Sequence, residues 1–134
     1  MALRTAEIFG VREDLSAKLS AAGLGNSDNL LAAAATPQAR QELAAKLGVD
    51  AKEVLEMANR ADLSRIKGIG SVYSDLLEWA GVDTVAELAR RNPENLFNKI
   101  VEVAGEHFVQ RLPRAASIVD WVDQAKALPR MLEY

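Results

Sequence analysis

The sequence predicts an all-α protein. Aromatic residues make up only 5% of the 134 residues, alanine and leucine are abundant, and β-branched residues are scattered. This composition favours helices over strands. Glycines and prolines separate segments such as LSAKLSAAG and YSDLLEWAG, whose apolar residues recur at helical spacing. We therefore expect a bundle of helices.

Two of the predicted helices begin at a proline. Thr36-Pro37 and Asn92-Pro93 each place a good N-cap residue before a proline at the first helical position. Proline is tolerated there because its missing N–H would have no intrahelical acceptor. The sequence therefore predicts helix starts at Pro37 and Pro93.

Other helix boundaries follow from glycine, aspartate and serine. Gly23 and Gly81 each come directly after a helical pattern, as expected for residues that leave a helix in the left-handed conformation. Asp50 is predicted to cap the helix AKEVLEMANRA, and Ser117 to cap IVDWVDQAKAL, which should end before Pro129.

The chain contains an internal repeat. Aligning Ile8 with Ile66, an offset of 58 residues, also aligns a series of further pairs: Gly10 with Gly68, Ser16 with Ser74, Leu19 with Leu77, Ala22 with Ala80, Gly23 with Gly81 and Leu30 with Leu88. The segment GEHFVQRLPRA has no counterpart in the first copy. Units of about 60 residues bury little apolar surface alone, so we expect residues 1–134 to form a single domain, with units about 1–62 and 63–134 sharing one core.

The composition also bears on the cellular location of the protein and on the kinds of site that it can contain. The chain has no cysteine, which excludes disulfides and thiolate metal sites. The segment MALRTAEIFGVRED lacks the apolar core of a signal peptide, and no apolar run approaches the roughly 20 residues of a membrane span. We expect a cytoplasmic protein that does not bind membranes. The oligomeric state does not follow from the sequence.

The net charge is −3, from 16 basic and 19 acidic residues. This balance argues against a strongly electrostatic nucleic-acid binder, because phosphate affinity comes largely from lysine and arginine. Most of the cations in the second half alternate with glutamates and predict a mixed-charge surface. These cations are Arg90, Arg91, Lys99, Arg111 and Arg114.

A tight hairpin is predicted in the segment IKGIG. Gly68 and Gly70 permit backbone angles that other residues avoid, and Ile66 and Ile69 supply apolar anchors for the turn. A new helix is expected to start near Ser71.

The start of that helix is a candidate phosphate site, because unpaired amides and the helix dipole both favour negative charge. We expect the amides of Gly68, Gly70 and Ser71 to contact phosphate, with Lys67 nearby and Arg65 assisting.

The segment IKGIGSVYSDLLEWAG resembles the helix-hairpin-helix family, whose turn contacts nucleic-acid backbone without reading sequence. A longer stretch, from DLSRIKGIG through AGVDTVAELARRNPENL to VDWVDQAKALP, looks like the uncharacterised bacterial family called domain of unknown function 4332. This resemblance implies two fused, duplicated helix-hairpin-helix units and no known catalytic activity. GVDTVAELARRNPENL is also similar to part of the C-terminal domain of the RNA polymerase alpha chain, which binds both DNA and proteins.

The sequence departs from the DNA-binding pattern at two places. Val72 stands where such hairpins often carry lysine or arginine. In the first hairpin, IFGVRED, Arg12 replaces the second glycine, and Glu13 and Asp14 occupy the helix start, where they would repel phosphate. We therefore expect the first hairpin to serve structure alone.

No catalytic constellation is visible, so we expect a non-enzyme without metal or cofactor. His107 is the only histidine and has no neighbouring second ligand for a transition metal. Trp79 and Trp121 lie on apolar helical stripes and are predicted to be core residues, although an exposed tryptophan could anchor a partner.

Two functions from different classes remain open. One is weak, sequence-independent binding of nucleic-acid backbone by the second hairpin. The other is a protein-interaction or assembly adaptor without nucleic-acid binding, favoured by the net acidity and by Val72.

Overall fold

The structure is a computed structural model, and it describes residues 13–134. All the secondary structure within these residues is helical, which confirms the predicted fold class. None of these helices combines the length and the apolar character needed to cross a membrane. The helices are α1 (Glu13–Ala21), α2 (Ser27–Ala33), α3 (Pro37–Leu47), α4 (Ala51–Leu63), α5 (Ser71–Trp79), α6 (Val85–Ala89), α7 (Pro93–Glu106) and α8 (Ala115–Ala127).

The chain divides into two compact units. Unit 1 contains α1–α4 together with the segment Arg130–Tyr134, and unit 2 is Ile66–Pro129, which contains α5–α8. The expectation of one domain with a shared core stays a prediction.

In unit 1, α4 packs against α2 and α3, and α1 packs against α3. The helix starts are fixed by side chains: the Asn26 side chain accepts a hydrogen bond from the Asn29 N–H, and the Thr36 hydroxyl accepts one from the Ala39 N–H. The predicted start at Pro37 is confirmed. The core is made of leucine, alanine, valine and methionine: Leu15, Leu19, Leu30, Leu31, Ala34, Leu43, Ala44, Leu47, Val54, Met57, Ala58, Ala61 and Leu132.

The segment Arg130–Tyr134 is an integral part of unit 1. Leu132 is only 2% exposed and belongs to the core. The backbone N–H of Glu133 donates to the carbonyl oxygen of Ala35 at 2.8 Å. The buried Arg40 guanidinium donates to the Glu133 carbonyl oxygen at 2.6 Å and lies 6.0 Å from the centre of the Tyr134 ring. Unit 1 is therefore completed by residues that follow unit 2 in the sequence.

In unit 2, α8 packs against α6 and α7, and α5 packs against α7. The Asn92 side chain caps α7 by accepting from the Asn95 N–H, which confirms the predicted start at Pro93. The start of α5 at Ser71 is also as predicted. Apolar residues from all four helices are buried, among them Leu76, Leu77, Val85, Leu88, Leu96, Ile100, Ile118 and Trp121.

The two units have parallel features. Helices α1 and α5 both contain 9 residues, and α4 and α8 both contain 13. Gly23 and Gly81 end α1 and α5 with φ of 79° and 91°, confirming their predicted left-handed conformation. In each case a bond of 2.8 Å closes the helix end, from Leu24 N–H to Leu19 and from Val82 N–H to Leu77. The duplication itself stays an interpretation of these parallels.

The predicted capping role of Ser117 is wrong. Helix α8 begins at Ala115 with Arg114 as its N-cap, and the Ser117 N–H donates to the Arg114 carbonyl oxygen at 2.9 Å within the first turn. The two alanines before Ser117 have the highest helix propensity and extend the helix toward its N-terminus. Asp50 does occupy the N-cap position of α4, but its side chain forms no capping hydrogen bond.

We predict that Leu132→Ala lowers the free energy of unfolding by about 2–4 kcal/mol, because it removes a fully buried side chain from the unit 1 core. The measurement is chemical denaturation followed by far-UV circular dichroism. Met131→Ala is the matched control, since Met131 is 42% exposed and should change stability by less than about 0.5 kcal/mol. Equal effects of the two substitutions would contradict the docking of this segment.

Candidate nucleic-acid interface

The two glycines of the second hairpin have different roles. Gly68 has φ of +98°, and a Cβ added there would lie 3.0 Å from the indole Nε1 of Trp121. Gly70 has φ of −104°, which any residue can adopt, and a Cβ added there would meet nothing within 4 Å. Only Gly68 is required by backbone conformation and by close packing. Ile66 and Ile69 are buried, as predicted for the anchors of the turn.

A glutamine on α8 holds the hairpin backbone. The Gln124 side chain accepts a hydrogen bond from the Lys67 N–H at 2.8 Å and donates one to the Lys67 carbonyl oxygen at 3.1 Å. Its amide nitrogen also donates to the Asp120 carboxylate at 2.9 Å. The Lys67 amide is therefore already occupied. Sequence reasoning missed Gln124, because a polar residue on an exposed helix face gives no sign of such a contact.

The start of α5 differs from the capped helix starts in the chain. Gly70 is its N-cap residue in extended conformation and has no side chain to make a capping hydrogen bond, and no acidic residue lies in the first turn. The side chains of Asn26, Thr36, Thr84 and Asn92 cap α2, α3, α6 and α7, whereas α4 and α8, like α5, have no side-chain capping hydrogen bond. The first amides of a helix have no intrahelical acceptor. An anion could therefore take the place of the missing cap on α5.

Lys67 and Arg65, the two cations predicted beside this helix start, differ in their exposure and in their ion pairing. Lys67 is exposed and forms no ion pair within residues 13–134. The Arg65 guanidinium lies 2.8 Å from the Asp62 carboxylate, and the two side chains are only 12% and 6% exposed. The charge of Arg65 is balanced by Asp62. This placement counts against a direct phosphate contact by Arg65.

The remaining predicted contacts lie on the backbone of the hairpin and α5. Gly68 is packed on Trp121, whereas the Gly70 carbonyl accepts from the Ser74 N–H at 2.9 Å and Ser71 is the first helical residue. Val72, in the same turn, is 46% exposed. The site thus combines an uncapped helix start, one exposed lysine and one exposed apolar side chain. In the first hairpin, Gly10 and Arg12 lie outside the described residues, so its purely structural role stays a prediction.

Several other cations of unit 2 are paired locally. Arg90 and Arg91 lie 3.8 and 3.1 Å from Glu87, and Lys99 lies 3.4 Å from Glu102. This agrees with the predicted mixed-charge surface. The two remaining cations of that predicted set, Arg111 and Arg114, are exposed and form no ion pair in the part of the chain that the structure describes.

The aromatic side chains mainly support the fold. Trp121 is 3% exposed and contacts Tyr73 with ring centres 5.3 Å apart, which confirms its prediction as a core residue. Trp79 is only half-buried and stacks on His107, with ring centres 3.8 Å apart and planes 5° from parallel. Between residues 13 and 134, no group of three or more His, Asp or Glu side chains is arranged to hold a metal ion.

We predict that Gly68→Ala lowers the free energy of unfolding by about 1–3 kcal/mol, because alanine is strained at this φ and its Cβ would press on Trp121. Gly70→Ala is the matched control and should cost less than about 0.5 kcal/mol. Thermal denaturation monitored by tryptophan fluorescence measures both. Equal losses for the two variants would contradict the assigned roles of the glycines.

Comparison with known proteins gives a family but no activity. A family model described as "Domain of unknown function (DUF4332)" matches residues 10–128. Neither a search of curated proteins nor a search of solved structures gave a match. Because the family match covers most of the chain, including α1–α8, this protein belongs to the DUF4332 family.

Proposed function

We propose that unit 2 binds nucleic-acid backbone weakly and without sequence preference at the start of α5. The observation that carries this proposal is the uncapped, acid-free first turn of α5 beside the exposed Lys67. Free amides and the positive end of the helix dipole are a general phosphate-binding arrangement. In this proposal, residues 66–70 are the hairpin of a helix-hairpin-helix unit, and the protein is non-catalytic and cytoplasmic.

The proposed contact is weak because few charges support it. Lys67 is the one predicted cation of this site that remains exposed and without an ion pair among the described residues. A negative charge is also close, because the Gln124 amide that donates to the Lys67 carbonyl oxygen donates to the Asp120 carboxylate as well. A site that neutralises one or two phosphates releases one or two counterions. The logarithm of the binding constant should therefore fall with the logarithm of salt concentration with a slope of only about −1 to −2.

A second candidate function is a protein-interaction or assembly adaptor. Several large apolar side chains of unit 2 are between 41% and 47% exposed, and one of them, Val72, stands at the helix start. The other three are Val101, Leu112 and Val119. No DNA binding even at low salt, together with stable co-purification of one protein that Val72→Glu abolishes, would favour the adaptor.

The proposed phosphate site can be tested by a substitution that separates binding from folding. Gly70→Asp supplies the missing N-cap and should keep or raise the free energy of unfolding by about 0.5 kcal/mol. The new carboxylate should also occupy the anion position and weaken DNA binding about tenfold or more. Fluorescence anisotropy with labelled duplex and single-stranded DNA at low and rising salt measures the binding.

Asn98→Asp is the control for net charge, since Asn98 is exposed on α7 and the substitution adds the same charge elsewhere in unit 2. It should change affinity by less than about twofold, whereas Lys67→Glu should weaken binding as Gly70→Asp does. If Asn98→Asp and Gly70→Asp weaken binding equally, the site at α5 is wrong.

A further inference from the structure

Phe108 is in a conformation and an environment that folding does not require. It is the one non-glycine residue with positive φ within residues 13–134, at 57°, and its side chain is 91% exposed. A phenylalanine in the left-handed region is strained, and a fully solvated ring gains nothing from packing. Such a backbone outlier points to a function rather than to a fold requirement.

The end of α3 in unit 1 has the same backbone geometry as the end of α7, but with a glycine in place of Phe108. Helix α3 ends at Gly48 with φ of 71°, and the Val49 N–H donates to the Ala44 carbonyl oxygen at 3.1 Å. Helix α7 ends in the same way, with Phe108 in the position of Gly48 and the Val109 N–H donating to Ala104 at 2.8 Å. Glycine therefore suits this backbone position, yet unit 2 has phenylalanine there.

The residues after Phe108 form a loop that displays cations. The connection between α7 and α8 runs over residues 107–114, whereas α3 and α4 are joined by residues 48–50 alone. Pro113 is buried and anchors the loop, while Arg111 and Arg114 are exposed. Neither arginine has an ion pair among the described residues. The loop thus presents one aromatic ring and two available guanidinium groups.

We propose that this loop binds single-stranded nucleic acid, with a base stacked on the Phe108 ring and the phosphates beside it contacted by Arg111 and Arg114. This inference rests on the nucleic-acid binding proposed above and adds a preference for unpaired strands. Positive charge beside an aromatic platform is the general chemistry of single-strand binding. A duplex offers its phosphates but keeps its bases stacked inside.

The loop and the hairpin adjoin opposite ends of α5. Trp79, at the end of α5, stacks on His107 next to the loop, whereas the hairpin lies at the start of α5, where Gln124 holds it. From Arg114 to Gln124 the α8 backbone rises about 15 Å. A single strand bound at both places would span about this distance.

Anisotropy with a labelled twelve-nucleotide oligo(dT) and a duplex of the same length tests the inference at low salt. Phe108→Gly should weaken single-strand binding about tenfold and change duplex binding less than twofold. Its Tm should equal or exceed that of the wild type, since glycine fits the left-handed conformation. Phe108→Leu should lose affinity as Phe108→Gly does, because leucine has no π-face, and Phe108→Tyr should retain it.

The outcomes separate this inference from the proposed function. If Phe108→Gly leaves oligo(dT) binding unchanged while Gly70→Asp weakens it, the loop assignment is wrong and the α5 site stands. If the wild type binds neither DNA, both are wrong. Binding to phosphatidylserine vesicles that Phe108→Leu retains and Phe108→Gly loses, without DNA binding, would overturn the inference in favour of a membrane surface.

Discussion

The packing of the Gly68 turn against α8 fixes the candidate site. A Cβ at Gly68 would lie only 3.0 Å from the Trp121 indole nitrogen, and Gln124 binds both the N–H and the carbonyl of Lys67. Together these contacts set where the chain leaves the turn and therefore where α5 begins. The uncapped start of α5 and the exposed Lys67 side chain both adjoin this contact.

The same contact also limits the site. It uses the Lys67 amide and places Asp120 within hydrogen-bond distance of the holding glutamine. Unit 2 thus presents an uncapped helix start with little charge around it. Weak binding to any phosphate backbone is consistent with these features, whereas tight or sequence-specific recognition would need cations and base contacts that the hairpin does not provide. The loop at Phe108 supplies cations and an aromatic ring at the other end of α5.

The parallel helix ends show how one local structure can carry different side chains. Gly23, Gly48 and Gly81 are glycines at positive φ, and each closes a helix at no steric cost. Phe108 closes α7 with the same backbone geometry. A difference between two otherwise similar helix ends is informative because the fold is satisfied equally well by glycine. The loop that follows Phe108 is also longer than the loop that follows Gly48.

Local signals in the sequence were sufficient for the fold class and many helix boundaries. Thr36-Pro37 and Asn92-Pro93 predicted helix starts correctly, because capping and the fixed φ of proline act within a few residues. Ser117 was assigned wrongly, since an equally local preference, the helix propensity of two preceding alanines, extends α8 past it. Competition between local signals is the reason that boundaries are harder to predict than the helices themselves.

The geometry of the candidate site follows from the sequence to a smaller extent than the helix boundaries do, because it depends on tertiary contacts. The sequence by itself determined that a glycine hairpin precedes a helix without a charged cap. It could not decide that Gly68 is required and Gly70 is not, or that Gln124 occupies the Lys67 amide. These outcomes depend on contacts between residues that are far apart in the chain. Such contacts are set by tertiary packing, and they cannot be predicted from the residues next to each position.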